Sequence, residues 1–414
     1  SIRRQRQMCI RDRGMANRFK DKMNLSINGT ANDNGINSNQ RIGVNYSQNT
    51  QKLKYGGSIE IRENQRDSWS KRHTESFLSD NTSQLSQQNN QSNGKTDAIS
   101  GNFRFEWKID SLTTIMYRPS VNFSKGNSNS GSFSETLNNE LIPINQKEAT
   151  NRQTNDRFST NGSLQFNRKL NSKGRNIALR LYYNLDNGNS DRYSLANTYY
   201  LKYGDSIKVQ NQWIDNLNRN HEYRVQLTYM EPVFTNHFIE INYSYQHRSS
   251  LSEKYAYDWN DLEDSYSQYP DTAQSDCYKN KYSIHQVGAF FRTIRTNYFY
   301  NIGIEIEPQQ TTNQSYMRDT TLEYSSRNAI NYAPTMNFKY TFSKQTTLRI
   351  NYRGRTTQPS MTDLYSKNDI SDPLNIRLTN PNLKPSFNNN ISATFNTYFT
   401  ETLRSFNANF SYSN

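Results

Sequence analysis

The segment Tyr298-Phe299-Tyr300-Asn301-Ile302-Gly303-Ile304-Glu305-Ile306 alternates without a break. Its even positions are Tyr298, Tyr300, Ile302, Ile304 and Ile306, while Asn301, Gly303 and Glu305 fall between them. Successive strand side chains point to opposite faces, so this segment is a β-strand with one apolar and one polar face. Residues 177–185 set Ile177, Leu179, Leu181, Tyr183 and Leu185 against Ala178, Arg180, Tyr182 and Asn184. Residues 99–107 and 239–245 alternate in the same way, and helical spacing fits none of these segments.

Working outward, further strands are predicted at 23–28, 42–46, 53–61, 115–123, 158–166, 223–229, 282–290, 330–342, 348–352, 391–399 and 406–412. The total is about fifteen, many near the ~9–11 residues a tilted strand needs to cross a bilayer. Pro119 and Pro334 occupy apolar-face positions inside two of them. Proline cannot donate to a ladder, so bulges or strand ends are expected there.

The connections alternate in length. Short ones fall at 47–52, 108–114, 167–176, 230–238, 291–297, 343–346 and 400–402. Long ones fall at 62–98, 124–157, 186–222, 246–281, 307–329 and 353–390. A soluble sandwich has no reason for this rhythm. A transmembrane barrel has one, because its periplasmic turns are short and its extracellular loops long. Aromatic residues bunch beside the short turns, among them Trp107, Phe166, Tyr229, Phe290, Phe291, Tyr298, Phe299, Tyr340, Phe342, Tyr398 and Phe399. Rings of this kind favour the level where hydrocarbon meets headgroup.

Composition agrees once strands are assumed. Only 32% of the 414 residues are hydrophobic, yet the chain holds 29 Tyr and 20 Phe. A solvated, disordered chain is poor in aromatics. Strands that give half their residues to a wet lumen reconcile the two facts. Arg104, Glu106, Arg118, Arg180, Glu240, Glu305 and Arg349 all share the polar parity and are expected to line that lumen. On the lipid face an Arg costs about 2–4 kcal/mol at the midplane.

The formal net charge is +13. The opening residues 1–13 carry five Arg against Asp12 and show neither apolar period nor turn logic. They are set aside as a non-native leader, which leaves 14–414 as the barrel segment. The remaining Lys and Arg are scattered singly, a pattern that argues against nucleic-acid binding. Cys9 lies in the leader, which leaves Cys277 alone and allows no disulfide framework or CxxC site. No apolar run is long enough for a transmembrane helix, and the first thirty residues hold no signal-peptide core. An outer-membrane protein needs such a signal, so the natural N-terminus is expected upstream. The chain closes on Tyr412-Ser413-Asn414 without a terminal aromatic, as a cut chain would.

Near the C-terminus stands Asn380-Pro381-Asn382-Leu383-Lys384-Pro385. It resembles the NPxLKPE signature of TonB-dependent outer-membrane receptors, with Ser386 in place of the usual Glu and Thr379 in place of a preceding Gly. The segments Tyr352-Arg353-Gly354-Arg355, Gln358-Pro359-Ser360, Tyr229-Met230-Glu231-Pro232 and Lys173-Gly174-Arg175-Asn176 are similar to the barrels of the same group. The resemblance implies an antiparallel barrel of about 22 strands in a Gram-negative outer membrane. It also implies contact with outer-membrane lipid, a monomeric state and import of a bulky nutrient. Relatives engage the TonB complex through a plug segment, which this sequence does not contain. A passive porin or surface adhesin, and more remotely a soluble basic nucleic-acid-binding β-protein, remain as alternatives.

No enzymatic chemistry is legible. His73, His221, His237, His247 and His285 form no metal pair, and no HExxH, GxSxG, P-loop or GxGxxG is present. No cofactor is expected. One connection carries a candidate ligand set: Tyr257, Asp258, Trp259, Asp261, Glu263 and Asp264. Carboxylates at this density suit Ca²⁺, and the rings suit a sugar or chelate. However, Leu262 falls where an EF-hand ligand should sit, so a solvated loop is the plainer reading.

Overall fold

A computed structural model describes residues 10–77, 83–201, 206–318, 320–357, 380 and 383–414. It holds seventeen strands in one sheet. In chain order they are β1 (Ile10–Lys20), β2 (Met23–Asp33), β3 (Asn37–Asn49), β4 (Leu53–Phe77), β5 (Ser83–Lys108) and β6 (Thr113–Leu137). Then come β7 (Pro143–Lys169), β8 (Asn176–Tyr200), β9 (Ser206–Phe234), β10 (His237–Asn260), β11 (Ser265–Tyr266) and β12 (Asp276–Ile294). The last are β13 (Tyr298–Met317), β14 (Thr320–Thr341), β15 (Thr346–Thr357), β16 (Ser386–Phe399) and β17 (Arg404–Ser413). Each strand pairs antiparallel with the next, except that β10 reaches past the two-residue β11 to β12. Among the described residues β1 and β17 do not pair, so the barrel wall is not closed by them.

All fifteen strands expected from alternation are present, and β1 and β11 are additional. β1 starts inside the segment set aside at 1–13. It does not share the alternation of the others, because Arg18 and Lys20 fall on the apolar face beside Leu25 and Met23.

Register turns the alternation into continuous rows. Leu53, Trp107, Ile115, Phe166, Leu179, Leu227, Tyr243, Val287, Ile306 and Tyr332 follow one another across the sheet from β4 to β14. Along β10 this face is exposed and much of the opposite one is buried. On β10, Ile241 is 51% exposed, while Asn242 is 8% and Ser244 4% exposed. A water-soluble protein buries its aliphatic side chains, and this wall does the reverse. Hydrocarbon around the outside accounts for it, since lipid solvates Ile and Val but offers backbone groups no hydrogen bonds.

Five of the six long connections are mostly strand among the described residues, which corrects the sequence expectation, and most of the sixth, 353–390, lies outside the described residues. β4 to β9 run for 25 to 29 residues each, so most of 62–98, 124–157 and 186–222 is paired strand. At ~3.3 Å per residue such strands reach about 80–95 Å along their length, far beyond any bilayer. Ladder hydrogen bonds do not need apolar side chains. Ser, Thr, Asn and Gln sustain the pairing where both faces are wet. Among the described residues, 261–275 is the connection that keeps substantial non-strand length.

Neither inner proline makes a bulge. At Pro119 the β5–β6 ladder stops at Asn102–Ser120 and resumes in register at Phe105–Tyr117. Pro334 pairs with Ile304 on one side, while the β14–β15 pairing ends at Thr335 on the other. The missing N–H interrupts the ladder on one side and leaves the register intact. Gly57 answers a different need, because a Cβ there would meet the Phe103 ring at 2.5 Å and the Asn102 carbonyl at 2.7 Å. The Phe103 ring lies over it on the apolar face.

Candidate functional site

Two regions carry chemistry: the polar face at membrane level, and the far ends of the hairpins. All seven charged residues expected to face a wet lumen lie on the polar side by register. They form pairs. Arg292 Nη2 sits 2.6 Å from Glu240 Oε2. Arg104 Nη2 sits 2.7 Å from Glu106 Oε2, and Lys54 approaches the same carboxylate at 3.6 Å. A longer network crosses β9 to β13. Arg224 and Ser244 both donate to the Gln286 carbonyl oxygen, the latter at 2.8 Å, and the Gln286 amide donates to Glu307. Asn242 donates to Glu305 at 3.4 Å, and Gln246 to Glu222 at 2.9 Å. Sequence parity located the charges but not this network. Its amide and hydroxyl members become visible only when register places them in adjacent rows.

The short-turn end carries aromatic rings on the lipid side. Tyr298 and Tyr300 stack at 6.3 Å, Tyr340 meets Phe342 edge-on at 4.6 Å, and Phe342 reaches Phe395 at 6.4 Å. This is the expected girdle, with one correction. Phe290, Phe299 and Tyr398 pair with Gly303, Lys339 and Ser405, on the polar parity, so they belong to the lumen side.

At the far ends, the six candidate ligand residues do not converge. Tyr257 and Trp259 lie on the apolar-parity face of β10, and Asp258 points to the other. Asp258 Oδ1 accepts a hydrogen bond from Gln212 Nε2 at 2.7 Å, which makes it a strut between hairpins. Asp261, Glu263 and Asp264 sit at an exposed tip beside Leu262, itself 97% exposed, and Asp264 adopts a φ of 49° to close the turn. Among the described residues, no group of three or more His, Cys, Asp or Glu is placed to hold a metal ion. The rings are better organised. Trp213 stacks on Tyr257 at 4.8 Å, Trp259 meets Tyr266 edge-on at 5.0 Å, and Tyr193 faces Tyr266 at 5.8 Å. Tyr193 and Trp213 were not singled out in the sequence. The signal was available in principle, because register alone sets Tyr193, Trp213 and Tyr257 side by side.

Next to these rings on the same face lies an acidic group: Asp191, Asp215 and Glu253. Trp213 Nε1 donates to Asp191 at 3.2 Å, and the Tyr316 hydroxyl donates to Glu253. Burial, reinforced by the Asp191 and Glu253 charges, pushes the Asp215 carboxyl above the usual range. Burial likewise raises the Cys277 thiol.

Within the family signature, Leu383 N contacts the Asn380 carbonyl at 3.4 Å, and Leu383, Lys384 and Pro385 lead exposed into β16. Pro381 and Asn382 lie outside the described residues, as do Gln358, Pro359, Ser360 and Thr379.

An antiparallel meander with a lipid-facing outside, a polar inside and long hairpins at one end is the wall of an outer-membrane β-barrel. The profile of the outer membrane protein beta-barrel family matches residues 168–414, more than half of the chain, and the chain belongs to that family. No curated protein is significantly similar to it in sequence. Among solved structures, the Pseudomonas putida toluene transporter TodX matches with a TM-score of 0.27 and 9% identity, over 84% of this chain and 81% of that one. At that score the match bears on neither cargo nor mechanism.

Proposed function

We propose that this chain is the barrel portion of a TonB-dependent receptor that imports a bulky nutrient across a Gram-negative outer membrane. The observation that carries the reading is the Asn380–Pro385 signature, set at the entry to a strand of an outer-membrane barrel wall. The wet, charged polar face supports it, since a polar solute crossing the barrel needs hydrogen-bond partners throughout its path. In this reading the barrel is monomeric in lipid. It receives energy from the TonB complex through a plug segment supplied elsewhere in the protein, and it carries out no catalysis.

The test is a conductance and uptake comparison on the complete gene product. A plugged, energised importer shows little open current in a planar bilayer and loses cellular uptake when the proton-motive force is collapsed. A large steady conductance, with uptake indifferent to that collapse, identifies a passive porin instead and overturns the proposal.

A further inference from the structure

Above the apolar band, on the same outward face, the hairpins form a groove of 480 Å³. We propose that this groove binds carbohydrate. Register builds it from two neighbouring rows across five strands. One row is Asn93, Asn129, Arg152 and Tyr193, and the other is Gln91, Gly131, Thr150, Leu195 and Asn211. Gly131 leaves the floor bare, since a Cβ there would meet nothing within 4 Å. The far rim is Tyr266, brought over by the 261–275 connection. Its ring lies 5.8 Å from Tyr193 at a 50° tilt, and its hydroxyl donates to Asn211 Oδ1 at 3.2 Å.

The chemistry selects a polyol. Four carboxamides and one guanidinium present donors and acceptors in close array, which suits hydroxyl groups that both give and accept. Asn129 Nδ2 reaches Asn93 Oδ1 only at 3.4 Å, so this pair keeps most of its capacity for a ligand. No carboxylate lines the groove, which removes the usual ligands of a divalent cation. The two tyrosines supply the electron-rich ring faces against which the C–H face of a sugar packs. Leu195 is the one aliphatic side chain in the lining, and the rest of its apolar surface comes mainly from the two tyrosine rings and the stems of polar side chains.

The groove is pre-organised. The 261–275 connection is fixed by Asp271 N to the Ala256 carbonyl at 2.7 Å, and by Arg318, whose guanidinium lies 5.2 Å from the Tyr269 ring centre. A rim already in place avoids an ordering cost on binding. Its height is informative too. Leu185 is the last apolar position of the alternating run on β8, and Tyr193 lies eight residues further on the same face. At ~3.3 Å per residue that is about 26 Å along the strand, above the hydrocarbon and level with surface sugars. The ligand is therefore either the saccharide part of an outer-leaflet glycolipid or a free oligosaccharide. The inference does not depend on import, because its readout is binding.

The experiment titrates the complete protein in detergent with two probe sets. One is a set of neutral oligosaccharides: maltohexaose, cellohexaose and isomaltohexaose. The other is deacylated core oligosaccharide from the host's lipopolysaccharide. Calorimetry is read alongside the fluorescence of Trp213 and Trp259. Saturable binding is expected for at least one set, weakened tenfold or more by Tyr193→Ala and by Asn129→Ala. Both variants are surface changes, and retained heat-modifiable migration confirms their fold. Core binding alone assigns the glycolipid, and binding of the neutral set assigns a free glycan. No saturable binding by either set, or affinities unmoved by both substitutions, overturns the proposal.

Discussion

Arg292 on β12 reaches diagonally across the polar face to Glu240 on β10, Nη2 to Oε2, at 2.6 Å. Their side chains are 25% and 15% exposed, so the pair is neither free in water nor fully desolvated. Exposed pairs contribute about 0–1 kcal/mol, and breaking fully buried ones costs about 3–5. Glu240→Ala is expected between these, at about 1–3 kcal/mol, because the remaining guanidinium keeps part of its burial without a partner. The measurement is a double-mutant cycle on the heat-modifiable transition of the refolded protein. If Glu240→Ala and Arg292→Ala add without coupling, the contact contributes nothing.

The two faces can be tested on adjacent residues of β9. Val225 stands in the lipid-facing row with Leu181 and Tyr245, and Gln226 stands in the polar row with Arg180 and Ser244. Val225→Arg places a guanidinium in hydrocarbon, at about 2–4 kcal/mol near the midplane, and is expected to cut the folded fraction in vesicles sharply. Gln226→Arg meets a wet wall and is expected to fold close to the unsubstituted yield. Equal yields for the two would mean that the alternation does not face lipid.

The same alternation explains what could be read in advance. Fifteen strands were legible because Ile and Tyr rows repeat every second residue wherever one face meets lipid, as in 177–185. Beyond Leu185 the signal vanishes although the strand continues to Tyr200, since Asn187, Asn189 and Asp191 are as polar as their neighbours. A ladder in water leaves no hydropathy trace. That is why 186–222 reads as a loop in sequence and as paired strands in space. The candidate ligand set had the same weakness. Density along the chain brought Asp258, Asp261 and Glu263 together, but β10 points Asp258 across to Gln212 and leaves the others at the tip. Contacts that matter there cross strands, as Trp213 with Tyr257 does, and these depend on register and not on proximity in sequence.

Cys277 gives a reporter for these hairpins. It is 1% exposed, its thiol approaches the Lys254 carbonyl at 3.9 Å, and burial raises its pKa. A raised pKa lowers the thiolate fraction, and it is the thiolate that reacts. With Cys9 replaced by Ser, alkylation of Cys277 by a maleimide near neutral pH is therefore expected to be slow in the folded protein and prompt once the β10–β12 hairpin opens in denaturant. Prompt labelling of the folded form would show that this end of the hairpin is open.

Asp215 makes the hairpin ends sensitive to acid, and the sign follows from the direction of its shift. Its carboxyl is raised by burial first, then by the charges of Asp191 and Glu253. The folded state therefore binds a proton more readily than the unfolded one, and local stability falls as pH rises. Lowering the pH is expected to relieve the strain as the raised value is crossed, with the gain complete near the ordinary Asp value of 3.8. Hydrogen exchange reads this directly. After correction for intrinsic rates, amides of β9 and β10 near Asp215 are expected to be better protected in mild acid than at neutral pH. Asp215→Asn should give the acid level of protection at both. Protection that falls on acidification, or a pH response that survives Asp215→Asn, would place the sensitivity in a different group.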